Sequence, residues 1–145
     1  MPTASDILSR KGFSVFVVPS NSTVLEAVER MNQLRVGAVV VMDQGKMRGM
    51  FTERDVLRRV VGERRDPAIT KVESVMTTEV ICCGANTDMD EISAIMKERR
   101  VRHLPVCDHE GDLLGMISIG DVNALHATHQ EATIHYLNEY LYGRV

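Results

Sequence analysis

The sequence predicts an α/β protein of the α+β kind, made of two copies of one β-α-β-β-α unit and a further helix at the C-terminal end. Three observations predict this. First, Gly49-Met50-Phe51-Thr52-Glu53-Arg54-Asp55-Val56 returns as Gly115-Met116-Ile117-Ser118-Ile119-Gly120-Asp121-Val122. Second, the likeness extends upstream, where Asn21, Glu26, Met31, Arg35, Val36, Val41 and Asp43 align with Asn86, Glu91, Met96, Arg100, Val101, Val106 and Asp108. Third, β-branched apolar runs alternate with segments whose apolar residues recur at helical spacing. A period of about 65 residues is too long for the common solenoid repeats.

In the first copy, Ser14–Val18 is a short apolar strand closed by Pro19. Ser22 or Thr23 caps a helix with Glu26 in its first turn. Val24, Val28, Met31 and Leu34 fall on one face of it. Ala38–Met42 is apolar throughout, as in a strand buried on both faces. Asp43-Gln44-Gly45-Lys46 is a turn, Met47–Phe51 the returning strand, and Thr52–Val61 a helix ended by Gly62. The charged stretch Gly62–Pro67 is a loop, and Glu73–Thr77 a short helical turn.

The second copy repeats the order. Val80–Cys83 is a strand, and the helix Thr87–Arg99 carries Met89, Ile92 and Met96 inward. Arg102–Cys107 and Leu113–Ile117 are strands joined by the turn Asp108–Asp112, followed by the helix Ser118–Leu125. A sheet this small leaves one face to bury. Two similar halves packed sheet to sheet about a pseudo-twofold axis bury both faces and create two equivalent clefts. The expected division is a first repeat at 1–66, a second at 67–126 and a helical tail at 127–145. In that tail Ala127, Ile134, Leu137 and Leu141 follow helical spacing, and the stripe is expected to form a subunit contact, giving a homodimer.

Composition narrows the function. With a net charge of −3 over 145 residues, nonspecific nucleic-acid binding is not expected. No apolar run reaches about 18 residues, so no membrane span is expected. The opening residues, Met1-Pro2-Thr3-Ala4-Ser5-Asp6, lack a basic stretch and an apolar core, so no secretory leader is expected either. Cys82, Cys83 and Cys107, an odd number in apolar surroundings, read as buried free thiols in a reducing, cytoplasmic setting.

The chemistry lies in the duplicated hydroxyl-x-x-Asp. Thr52 and Ser118 sit where a strand ends and a helix begins, where free backbone N–H groups attract an anion such as phosphate. Asp55 and Asp121 follow three residues later, and a carboxylate offers acceptors for both vicinal hydroxyls of a ribose. The plainer alternative is that both pairs only cap helices. Neither a nucleophile constellation nor a P-loop is present, so no enzymatic activity is expected.

These residues resemble the CBS-domain family in its tandem-pair (Bateman module) form, as stand-alone CBS-pair proteins. The resemblance is carried by Gly49–Val56 and Gly115–Val122, by the runs Val36–Val41 and Val101–Val106, and by Ser74-Val75-Met76-Thr77. It covers nearly the whole chain. It implies a regulatory module that binds an adenosine ligand (AMP, ADP, ATP, NAD(H) or S-adenosylmethionine) and passes the signal to a regulated protein or to its own dimer. It implies ribose contacts from Asp55 and Asp121, and phosphate contacts from Thr52 and Ser118. Base contacts come from short strands of the opposite repeat: Val15, Gly37 and Ala38 for the Asp121 cleft, and Val80, Arg102, His103 and Pro105 for the Asp55 cleft. The clefts differ, because Glu53-Arg54 of the first motif becomes Ile119-Gly120 in the second. Arg54 can pair with a phosphate, and Arg35 and Arg100 are further phosphate neighbours. Gly37-Ala38-Val39-Val40 also departs from the family's Leu-Pro-Val run. Two other readings compete. One is a protein-interaction adaptor with unoccupied clefts. The other is a metal-binding protein using His126, His129 and His135. The reading adopted assigns no metal ligand.

Overall fold

The computed structural model describes residues 2–127. The elements are α1 (Ala4–Lys11), β1 (Val17–Pro19), α2 (Val24–Leu34), β2 (Ala38–Asp43), β3 (Lys46–Thr52), α3 (Glu53–Asp55, continued by a π-helical segment Val56–Val61), α4 (Val72–Val75), α5 (Met89–Arg99), β4 (His103–Cys107), β5 (Leu113–Ser118) and α6 (119–127). This is the mixed architecture expected from the repeat. Helix starts follow local chemistry. Thr3, Thr23 and Thr52 each accept the N–H three residues on, while Asp6, Glu26 and Asp55 reach back to the cap backbone. The aligned residues Arg35 and Arg100 both end their helices in the left-handed conformation, at φ 56° and 55°.

The first sheet has the order β1-β2-β3, with β1 parallel to β2 and β2 antiparallel to β3. The second holds only the antiparallel pair β4-β5. The predicted strand Val80–Cys83 is therefore corrected to a single bridge, Cys83 to Val106. The reason is a missing donor. Val40 sits opposite Met50 and donates its N–H to the Phe16 carbonyl at 3.0 Å. Pro105 holds the matching place opposite Met116 and has no N–H to give. Only the bonds through Cys83 remain, from its N–H to Pro105 O and from Cys107 N–H to its carbonyl, each 2.9 Å.

Other differences are small. β1 starts at Val17 and includes Pro19, leaving Val15 ahead of the strand. The helix expected over Thr52–Val61 widens after one turn, where Gly62 N–H reaches back five residues to Leu57 O. Cys83 and Cys107 are buried as expected, but Cys82 is exposed. Burial pushes the Cys83 and Cys107 thiols up to about 11 and about 12, so neither forms a thiolate near neutrality. The expected tail helix lies almost wholly outside the described residues, as do His129 and His135. No helix of the described residues is long and apolar enough to cross a membrane.

Each half completes its core with a segment that precedes the other half. α1, which the sequence reading left unassigned, buries Ala4, Ile7 and Leu8 among Met89, Ile92, Leu104 and Ile117. α4 buries Val72 and Val75 among Val24, Met31, Val39 and Phe51. The exchange is symmetric at the level of single hydrogen bonds. Val24 N–H to Thr70 O is matched by Met89 N–H to Pro2 O, and Val72 N–H to Ser22 O by Ala4 N–H to Thr87 O, all at 2.8 Å. The aligned Gly49 and Gly115 receive the equivalent side chains, Met76 against one and Leu8 against the other. The pseudo-twofold relation expected from the repeat is thus built into the backbone bonding.

Candidate functional site

A cavity of about 420 Å³ lies between the halves. One wall is Gly37, Met50 and the motif Thr52–Asp55 with Arg58 and Arg59; the other is Thr77 to Ile81 with Arg100 to His103. Asp55 is the only buried charged residue described, at 4% exposure. Its Oδ2 accepts Thr52 N–H at 3.0 Å and the Thr52 hydroxyl at 3.2 Å, while Asp55 N–H returns a bond to Thr52 Oγ1 at 3.3 Å. So the first motif is a capping box as well as a cavity wall. The other oxygen, Oδ1, accepts from the Thr77 hydroxyl at 3.0 Å and has Arg59 Nε at 3.8 Å. Thr77 belongs to the opposite half and is held by a two-way backbone bridge to Met50.

Five guanidiniums line this cavity against three carboxylates, those of Glu53, Asp55 and Glu79. Two of the five also hold backbone carbonyls, and Arg54 in doing so ties the halves together. Arg54 donates to Arg100 O at 2.8 Å, and Arg59 donates to Met76 O at 2.8 Å. Arg58, Arg100 and Arg102 are exposed at the rim.

The second crevice is closed by a cation. Asp121 Oδ2 accepts Ser118 N–H at 2.8 Å, and Asp121 N–H returns to Ser118 Oγ at 3.2 Å. Lys11, at the end of α1, donates to the same Oδ2 and to Met116 O, each at 2.7 Å. Met116 O is the repeat partner of Met50 O, which in the first half accepts Thr77 N–H. The ammonium thus bonds the motif carboxylate and the strand carbonyl that Thr77 bonds in the first half. Burial raises the Asp121 pKa, but the Lys11 hydrogen bond and charge and the Ser118 bonds outweigh it and bring the group below its ordinary value. The space beside this ion pair is about 200 Å³, lined by Ile7, Arg10, Lys11, Asp121, Ala124 and Leu125.

His103 stands between the two motifs. Burial lowers its pKa, Glu53 and Asp121 draw it upward, and Lys11 and Arg102 push it down.

Of the residues singled out from the sequence, Thr52, Arg54, Asp55, Val80, Arg102 and His103 line the cavity beside Asp55, as does Arg100. Gly37 lines it too, with its carbonyl accepting Glu53 N–H at 3.0 Å; the sequence reading put it beside Asp121. Val15, Ala38 and Pro105 are not among its lining residues: Val15 precedes β1, Ala38 is buried opposite Thr52, and Pro105 is buried opposite Met116. Ser118 and Asp121 form the latched crevice with Lys11. Sequence reasoning missed the roles of Thr77, Arg58, Arg59 and Lys11. Arg58 and Arg59 could have been found, since they lie one helical turn beyond Arg54 and Asp55. Three carboxylates, Asp108, Glu110 and Asp112, cluster in the β4–β5 turn, where Asp108 Oδ1 accepts the N–H groups of Glu110 and Asp112.

The CBS-domain family profile matches the chain twice, over residues 4–62 and 72–125. The CBS domain-containing protein YhcV of Bacillus subtilis is 36% identical over 108 residues, which is 74% of this chain and 76% of that one. A CBS-domain containing protein from Agrobacterium tumefaciens, of known crystal structure, is 37% identical with a TM-score of 0.81, over 86% of this chain and 99% of that one. A CBS domain protein from Pyrobaculum aerophilum, solved complexed with AMP, has the same fold at 24% identity and a TM-score of 0.73, over 83% of this chain and 89% of that one.

Proposed function

Since the chain belongs to the CBS-domain family, with two copies of the domain in tandem, we propose that it is a nonenzymatic sensor holding one adenosine nucleotide in the cavity beside Asp55. The observation that carries this reading is the cavity itself. It spans both halves, has a buried carboxylate at its wall and is edged by guanidiniums. Asp55 Oδ2 serves the cap, while Oδ1 accepts one hydroxyl, from Thr77, with Arg59 Nε 3.8 Å away, and keeps acceptor capacity for a ribose diol. The guanidinium of Arg54, at the start of α3, supplies donors for phosphate. His103 and the backbone near Val80 and Arg102 flank the space left for the base. The Pyrobaculum relative, with the same fold and AMP bound, makes the ligand class reasonable.

The ligand would transmit its binding by bridging the halves. Arg54 already bonds across the junction, so a ligand that draws on it shifts the balance between two relative orientations. The readout passes to a second copy of the chain or to a regulated partner. Asp121 is assigned no ligand role in this reading, because the Lys11 ammonium bonds its Oδ2 and Met116 O and so takes the place beside the second motif that Thr77 takes beside the first.

Calorimetry with AMP and ATP tests the assignment. Asp55→Asn keeps the shape of the cap and removes the charge, and is expected to weaken binding at least about tenfold, the worth of one charge-assisted hydrogen-bond pair. Asp121→Asn is expected to leave affinity within about twofold. Equal losses in the two variants, or none in the first, remove the assignment.

A further inference from the structure

We infer that the Asp55 cavity selects ligands with a phosphate chain, nucleoside di- and triphosphates, over monophosphates and over the cationic S-adenosylmethionine, and that Arg58 and Arg102 make the selection. The inference rests on the adenosine-nucleotide reading above and adds the ligand class within it. Its basis is a division of labour among the five guanidiniums. Arg54 and Arg59 spend hydrogen bonds on backbone carbonyls, at Arg100 O and Met76 O. A single phosphate at the start of α3 lies within the province of Thr52 and Arg54. The guanidiniums of Arg58, Arg100 and Arg102 have neither a hydrogen bond nor an ion pair among the described residues, yet all three residues line the same cavity.

Three like charges without counter-ions at one mouth repel each other and raise the local concentration of anions. The carboxylates cancel them only in part, because five guanidiniums face three carboxylates, those of Glu53, Asp55 and Glu79. Asp55 is buried and engaged with Thr52, Thr77 and Arg59, and the Glu53 carboxylate lies within reach of Gly37. A second or third phosphate supplies the planar, multiply accepting partner that a guanidinium binds through two N–H groups at once. A sulfonium in the same place adds a further positive charge to the cluster.

The two halves of the molecule also divide the rim. Arg58 comes from α3 of the first half and Arg102 from the start of β4 in the second. A phosphate chain long enough to meet both would clamp the junction, whereas a monophosphate held at α3 would meet only one side. Chain length is thereby coupled to closure of the two halves on each other.

The test is a calorimetric series with AMP, ADP, ATP and S-adenosylmethionine in magnesium-free buffer, on the parent and on Arg58→Gln/Arg102→Gln. Both side chains are exposed and unpartnered among the described residues, so the variant is expected to fold, with circular dichroism as the check. The parent is expected to bind ATP at least about tenfold more tightly than AMP, one charged hydrogen-bond pair's worth. In the variant that ratio falls to within about threefold, because ATP loses more affinity than AMP does. An ATP-to-AMP ratio near one in the parent, or a ratio that survives in the variant, overturns the inference and leaves the nucleotide assignment standing. Binding of S-adenosylmethionine as tight as that of ATP also overturns it. Failure of every nucleotide to bind removes both readings together.

Discussion

Replacing Lys11 with Met tests the latch on the second crevice directly. The long apolar stem is kept and only the ammonium is lost. Lys11 donates two hydrogen bonds of 2.7 Å, one to a carboxylate. Bonds to charged groups contribute about 1.5–3 kcal/mol when buried, and exposed ion pairs less than about 1. The two side chains are 31% and 22% exposed, between those limits. The expected loss is therefore about 1–2 kcal/mol, or roughly 3–8 °C in Tm for a chain of this length. The pH dependence has a definite sign. Asp121 titrates below its ordinary value in the folded chain, so its contribution is fully present above the unfolded value of about 4. It is lost as pH falls through the folded value. Thermal melts at pH 7 should separate parent and variant, and the gap should narrow as pH drops below about 4. Calorimetry gives a second reading: one nucleotide per chain in the parent, with additional weaker binding in the variant. Equal melting temperatures at pH 7, a gap indifferent to acid, or two sites already filled in the parent would refute the latch.

Two further outcomes are expected. A Cβ on Gly49 would sit 2.5 Å from Thr77 O, a backbone atom, whereas one on Gly115 would meet the tip of the Leu8 side chain at 2.8 Å. Gly49→Ala should thus cost about 2–3 kcal/mol and Gly115→Ala about 1, since a side chain can turn aside and a bridged backbone cannot; urea denaturation that ranks them the other way would contradict the backbone bridge. Burial holds the His103 pKa below its usual value, so the unfolded chain takes up the proton first. Stability should therefore fall as pH drops below about 6.5, and His103→Gln should flatten that part of the profile.

The repeat made most of the fold legible. Both hairpins, the inward faces of α2 and α5, and the strand-to-helix seats of Thr52 and Ser118 follow from spacing alone. What escaped depends on contacts distant in sequence or on a single atom. Lys11 and Asp121 are 110 positions apart, and no periodicity relates them. The helix that carries Lys11 did have a local signature, Thr3-x-x-Asp6 at its start and Gly12 at its end. The strand lost at Val80–Cys83 was foreshadowed by Pro105, whose missing N–H matters only once it is set opposite Val40 in the other copy. The expected partition of base-contacting residues between two clefts did not anticipate the exchange of α1 and α4, which decides which segment faces which motif.

That exchange also accounts for the inequality of the crevices. α1 and α4 dock alike as far as Leu8 and Met76, which press on the aligned glycines. Beyond that point the paths part. α4 stops at Val75, and the chain extends so that Thr77 bridges Met50 and gives Asp55 a neutral hydroxyl. α1 continues for another turn to Lys11, which brings an ammonium to Asp121 and Met116. A hydroxyl donor can rotate to serve a sugar diol as acceptor or donor. An ammonium bonded to a carboxylate can yield only by breaking a charged pair. A difference of one helical turn in the docked segment thus turns two copies of one motif into an open, cation-edged cavity and a closed ion pair. It predicts that shortening α1, rather than changing either motif, is the economical route to a chain with two usable sites.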